Sequence, residues 1–144
     1  MNASPSRVLV ATDGSPQAAL ATRKAADIAA KMGSELHVVH VGEIPVVFHP
    51  EMRGYPALYE TSQKESQELL DREVERLSAD GTNVADSHLK MGRADEEIVA
   101  LAEELGADMV VVGSRGLGGV KRALMGSISD SVVRHTHCPV LVVR

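Results

Sequence analysis

The sequence predicts an α/β domain, a doubly wound parallel sheet of five strands with helices on both faces. Three observations predict it. Short apolar runs rich in β-branched residues alternate along the whole chain with stretches of helical periodicity, in the order βαβαβαβαβ. Cap and turn residues stand at the junctions between the two kinds of segment. Finally, 144 residues at 44% hydrophobic and 24% charged suit one core, so a single domain spanning residues 1–144 is expected.

The first strand is Arg7 to Thr12 (RVLVAT), closed by the turn pair Asp13-Gly14. Ser15 is then a good N-cap and Pro16 suits the first helical position, where a missing amide costs nothing. Ala18, Ala21, Ala25, Ile28, Ala29 and Met32 recur at helical spacing until Gly33 stops the helix. Glu35 to Val41 (ELHVVHV) is the second strand. A polar helix follows from about Ala57 to Ala79, with its stripe at Leu70, Val74 and Leu77 and a mostly solvated first half. Asn83 to Met91 forms a weaker third strand, because Asp86, Ser87, His88 and Lys90 interrupt its apolar run as a strand near an edge allows. Arg93 to Leu105 is a helix with Ala94, Ile98, Leu101, Ala102 and Leu105 on one face. Its early acids Asp95, Glu96 and Glu97 favour the positive helix end. Asp108 to Val112 is a central strand, Gly113 to Gly126 a glycine-punctuated loop, Ser127 to about His135 a short helix, and Pro139 to Val143 the last strand.

Charge and composition exclude several function classes. Fifteen Lys+Arg against 20 Asp+Glu give a net charge of -5, which disfavours general nucleic-acid binding. Aromatic residues are 2% of the chain, too few to stack bases or to sandwich a flavin as an electron carrier does. The single cysteine, Cys138, allows no internal disulfide. The N-terminal MNASPSRVLVATDG lacks a basic region followed by a long apolar stretch, and no segment reaches the ~18 apolar residues of a membrane span. A cytoplasmic protein without membrane association is expected.

The segment Gly113 to Ser127 reads GSRGLGGVKRALMGS, between a central strand and a helix, where a parallel α/β protein holds its ligand. Gly113, Gly116, Gly118, Gly119 and Gly126 permit close backbone approach, and Ser127 offers a hydroxyl beside helix amides. No Asp or Glu occurs from Met109 to Ser129, while Arg115, Lys121 and Arg122 do. This local positive site suits phosphate. A P-loop is excluded because no Gly-Lys-Ser/Thr follows the required gap, and the run from Gly116 has Lys121 where a dinucleotide fingerprint needs its third glycine.

The spacing Gly113-x-x-Gly116, nine residues, then Gly126-Ser127, together with RVLVATDGSP, ADMVVVGSRG and HCPVLVVR, resembles the universal stress protein family along essentially the whole chain. The resemblance implies a sheet of order 3-2-1-4-5. It also implies the ATP-binding subset, which carries this glycine pattern. On the same basis Asp13, with Thr12 before it, would lie near ribose or base, and Val41 would offer backbone groups to adenine. Gly113 and Gly116 would line the ribose and phosphate side. Gly126 and Ser127, with the amides of Ile128 and Ser129, would cradle the phosphates, and Arg115 is a phosphate neighbour outside the motif. Mg2+ would be held mainly by the phosphates, since no carboxylate cluster accompanies the glycines. The family further implies a homodimer through the last strand, which agrees with an apolar strand at a sheet edge.

Other readings stand beside these. Asp13 equally suits an Asx turn that starts the first helix. His135, His137 and Cys138 crowd together with no second ligand cluster, so no metal is expected there, and His37 and His40 have opposite strand parity. The loop Glu43 to Pro56 holds Pro45, Pro50 and Pro56 with Phe48 and Tyr55, and Tyr59 follows. It reads as a lid, a protein-partner surface or a satellite core. No nucleophile with an adjacent base and no acidic pair occurs near the glycine loop, so no catalytic residue is assigned. Any ATP hydrolysis is expected to be slow, with Asp13 as the group to orient water. A nucleotide-dependent stress sensor or regulator is expected, against a dimerising interaction module that makes no use of nucleotide.

Overall fold

Elements alternate strictly in the computed structural model, which describes residues 5–44, 55–114 and 125–144: β1 (Arg7–Ala11), α1 (Pro16–Met32), β2 (Glu35–Gly42), α2 (Tyr55–Ala79), β3 (Val84–Met91), α3 (Ala94–Leu105), β4 (Met109–Gly113), α4 (Ser127–His135) and β5 (Val140–Val143). All strand pairs are parallel, and the sheet order is β3-β2-β1-β4-β5. Strand alternation then divides the core in two. Val8, Val10, Leu36, Val38 and Val111 face α1 and α2, where Ala21, Ala25, Leu70 and Leu77 cover them. Leu9, Val39, Val110 and Val112 face α3 and α4, where Ile98, Leu101, Ala102 and Val132 cover them. β1 and β4 are buried on both faces, which is why each reads as a continuous apolar run.

The helix ends form as their residues dictate. Ser15 accepts from the Ala18 amide at 3.2 Å with Pro16 in the first turn, and Gly33 ends α1 in the left-handed region at φ 68°. Gly42 ends β2 against α2, because a Cβ there would run into the Ser66 hydroxyl and lie 2.8 Å from the Met91 sulfur.

Strand β3 is an edge strand with an irregularity. Leu36 pairs with Val84 but His37 pairs with Asp86, so Ala85 has no partner and the alternation of β3 slips by one. Val84 and Leu89 therefore pack against the same cluster despite opposite parity. The slip also brings His88 to His37 across the pair. Their rings stack with centroids 5.4 Å apart, and His37 Nδ1 lies 3.1 Å from His88 Nε2. His37 Nε2 is buried, has no hydrogen-bond partner among the described residues, and lies 3.7 Å from Glu35. His40, on the other face, sits 2.8 Å from the Thr12 carbonyl.

Burial pushes the His88 pKa below its ordinary value; His37 and Lys90 act the same way, and Asp86 and Glu104 oppose it. The Arg7 side chain, bonded at 2.9 Å, holds Glu35 below the usual carboxylate range. Both shifts make acid destabilising. A histidine with a lowered native pKa is protonated first in the unfolded chain, so stability falls as pH drops below about 6.5; the lowered Glu35 adds its loss only at more acid pH. The thermal midpoint is expected to fall between about pH 7.5 and about 5.5. His88→Gln should flatten that fall, and an equal slope in the variant would remove His88 from the explanation.

Candidate functional site

The order β3-β2-β1-β4-β5 makes β1 and β4 neighbours whose outgoing connections leave in opposite directions, and ligands of open α/β sheets bind at such a switch point. A cleft of about 120 Å³ lies there, at the carboxyl ends of the strands. Ala11, Thr12 and Asp13 line it from β1 and the following turn, Val41 from β2, and Val112 and Gly113 from β4. Ala18 of α1, Ala94 and Ile98 of α3, and Ile128 and Ser129 of α4 complete the walls. A site that encloses a whole drug-sized ligand measures roughly 300–1,000 Å³. This cleft suits one flat ring or sugar, and a larger guest has to extend past these walls.

Of the candidates named from the sequence, Thr12, Asp13, Val41, Gly113, Ile128 and Ser129 all line this cleft. Gly126 and Ser127 begin α4 beside them without lining the cleft, and Arg115 and Gly116 lie outside the described residues, as do Gly118, Gly119, Lys121 and Arg122. Asp13 makes the Asx turn: its Oδ1 accepts from the Ser15 amide at 2.9 Å, while Thr12 Oγ1 accepts from the Gly14 amide at 3.2 Å. Asp13 is also the one ionisable side chain among the described residues of the cleft.

Gly113 has a packing role of its own. A Cβ there would meet the Gln17 carbonyl oxygen at 3.1 Å and its carbon at 3.2 Å, so the glycine lets β4 approach the first turn of α1. Gly126 is the N-cap of α4 in extended conformation, φ -69° and ψ 162°, with no side chain to cap the first-turn amides. Two bonds set this turn on the sheet: the Gly126 amide donates to the Ser114 carbonyl, and the Ser129 hydroxyl donates to the Gly113 carbonyl. Chemically the site is a mainly apolar slot with one carboxylate and a helix N-terminus at its rim.

Sequence reasoning missed Ala11, Ala18, Ala94, Ile98 and Val112 in the walls. Ala18, Ala94 and Ile98 carry the helical spacing of core residues, and the sequence signal for a cavity was only that small residues stand at the starts of two helices. Elsewhere, His135 Nδ1 lies 2.8 Å from the Ser131 carbonyl and Cys138 Sγ lies 3.6 Å from Thr136 Oγ1. Among the described residues no group of three or more His, Cys, Asp or Glu converges on a metal position. None of the described helices is long and apolar enough to cross a membrane.

Residues 5–144 match the model of the universal stress protein family. Universal stress protein YxiE of Bacillus subtilis (strain 168) is 34% identical over 146 residues, covering 96% of this chain and 98% of that one. Among solved structures, universal stress protein UspA from Lactobacillus plantarum superposes with a TM-score of 0.85 at 23% identity, covering 99% of this chain and all of its own, which bears on the fold. A universal stress protein solved in complex with cAMP superposes with a TM-score of 0.75 at 25% identity, covering 99% of each chain. A family match over nearly the whole length and the expected strand order agree: the chain belongs to the universal stress protein family.

Proposed function

We propose that the chain binds ATP in the cleft at the carboxyl ends of β1 and β4 and acts as a dimeric, nucleotide-dependent sensor or regulator of a stress response. The observation that carries the reading is the meeting of Thr12, Asp13, Val41, Gly113, Ile128 and Ser129 in one cleft beside the uncapped start of α4. A family relative solved with cAMP supports an adenine nucleotide as the class of guest.

In this reading the adenine ring enters the apolar slot, where the Val41 backbone and the walls from Ala94 and Ile98 receive it. Asp13 accepts from ribose hydroxyls. The amides of Ser127, Ile128 and Ser129, with the positive end of α4, bind the phosphates, and Gly126 lets them come close. Gly116 and Arg115 complete the phosphate side. Mg2+, when present, is held mainly by phosphate oxygens, because Asp13 is the one carboxylate among the described cleft residues. Hydrolysis is slow at most, since among the described cleft residues no second acid or base stands beside Asp13 to share the proton transfers.

The dimer forms through β5. This strand is at the sheet edge, its four residues Val140, Leu141, Val142 and Val143 are each half-buried, and Val133 of α4 is 41% exposed. Sedimentation at micromolar concentration is expected to give a dimer, and a monomer would overturn this part. The loop Glu43 to Pro56, of which residues 45–54 lie outside the described residues, is assigned as a lid or protein-partner surface on its sequence alone.

Denaturing freshly purified protein and identifying released small molecules by chromatography and mass spectrometry tests the nucleotide reading. Adenine nucleotide in the released fraction supports it. Binding of neither copurified nor added ATP would favour a dimerising interaction module.

A further inference from the structure

Helix α4 is short, and packing alone holds it weakly. Of its nine residues only Ser129 and Val132 are buried, and isolated helices below about 12 residues are marginal. Its placement therefore depends on polar ties. Among the described residues, the Gly126 amide and the Ser129 hydroxyl tie its start to Ser114 and Gly113, as already described. A further tie reaches α3, where Asp95 in the first turn is 7% exposed and its Oδ2 accepts from the Ser131 hydroxyl at 2.8 Å. The same carboxylate accepts from Arg93 Nε and Nη2 at 3.3 and 3.2 Å. The Ser131 hydroxyl, then the Glu96 amide and Arg93, outweigh burial and hold Asp95 below the usual carboxylate range. Asp95 is thus an anion at neutral pH, and its bond to Ser131 is charge-assisted.

We propose that Asp95 and Ser131 are positioning residues, a brace that sets the N-terminal turn of α4 at the cleft. Two placements carry this. Ser131 follows Ser127 by about one helical turn, so fixing Ser131 fixes both the rotation and the height of the amides at the start of α4. Ala94 and Ile98, flanking Asp95 on α3, line the same cleft as Ile128 and Ser129 of α4, so the brace joins two of its walls. Where the cleft takes a phosphate, the brace presents the amides to it without reorganisation, and in that respect it rests on the nucleotide reading above.

Ser131→Ala and Ser131→Thr test the proposal, read by amide hydrogen exchange without nucleotide and by calorimetric titration with ATP. Alanine is the better helix former, so any loosening of α4 comes from the lost bond and not from helix propensity. S131A is expected to exchange the hydrogen-bonded amides of α4, from residue 130 onward, about tenfold faster and to bind ATP about tenfold more weakly, with S131T restoring both. Unchanged exchange in S131A overturns the brace, as does a loss that S131T fails to restore. The two readings fail separately. If the parent binds ATP and S131A matches it in affinity, the brace falls and the nucleotide site stands. If the parent takes no ATP while S131A loosens only α4 and S131T repairs it, the nucleotide reading falls and the brace stands.

Discussion

Gly126→Val is expected to weaken ATP binding by more than about a hundredfold while the far-ultraviolet circular dichroism and the cooperative melt stay close to the parent's. The fold survives because Gly126 sits at φ -69° and ψ 162°, an extended conformation that valine adopts readily, and its amide bond to the Ser114 carbonyl does not involve a side chain. The ligand suffers because the isopropyl group stands at the N-cap, over the amides that a phosphate must reach within about 3 Å. Losing several charge-assisted bonds at once accounts for the size of the effect, since each contributes only about 1.5–3 kcal/mol. Equal ATP affinity in parent and variant would move the phosphate site away from α4.

Leu9→Ala carries the largest expected cost in stability. Leu9 lies in the strand between β2 and β4, is 0% exposed, and packs on the face covered by Ile98, Leu101 and Val132. A buried leucine replaced by alanine loses its transfer energy and leaves a cavity, together about 2–5 kcal/mol. Against a total of about 5–15 kcal/mol this lowers the thermal midpoint by roughly 10 °C, measurable by calorimetry. A shift under about 2 °C would mean that this face of the sheet closes over the gap.

Much of the fold was legible because local chemistry and tertiary placement agree. Ser15, Pro16 and Gly33 bound α1 where their residue types require, and the runs at Val8 to Val10 and Val110 to Val112 are continuous because both faces of those strands are covered. β3 was the weakest element in the sequence for a reason now visible. Its unpaired Ala85 puts Val84 and Leu89 on one face, and no strict two-residue period can describe that. The boundaries moved only slightly: α2 begins at Tyr55, β2 runs on to Gly42, and Val84 opens β3.

The polar and glycine residues of the candidate site stand out in the sequence, Val41 and Ile128 came with the family resemblance, and Ala11, Ala18, Ala94, Ile98 and Val112 were hidden. Asp13 stands just after β1, Gly113 ends β4 and Ser129 lies in the first turn of α4, whereas Ile98 and Ala18 have the same spacing as any core residue. Asp95 read as an acid suited to the positive end of α3, and that part holds. Its bond to Ser131 depends on how two helices distant in sequence pack against each other, which no local pattern records. The contact of His37 with His88 was hidden in the same way, because it needs both the β2 to β3 pairing and the slip at Ala85.

The central claim is tested most directly by calorimetric titration of nucleotide-free protein with ATP and magnesium. Saturable binding of one ATP per chain is the expected result, weakened in Gly126→Val. No binding heat at any temperature tried, with no nucleotide released on denaturation, would contradict it.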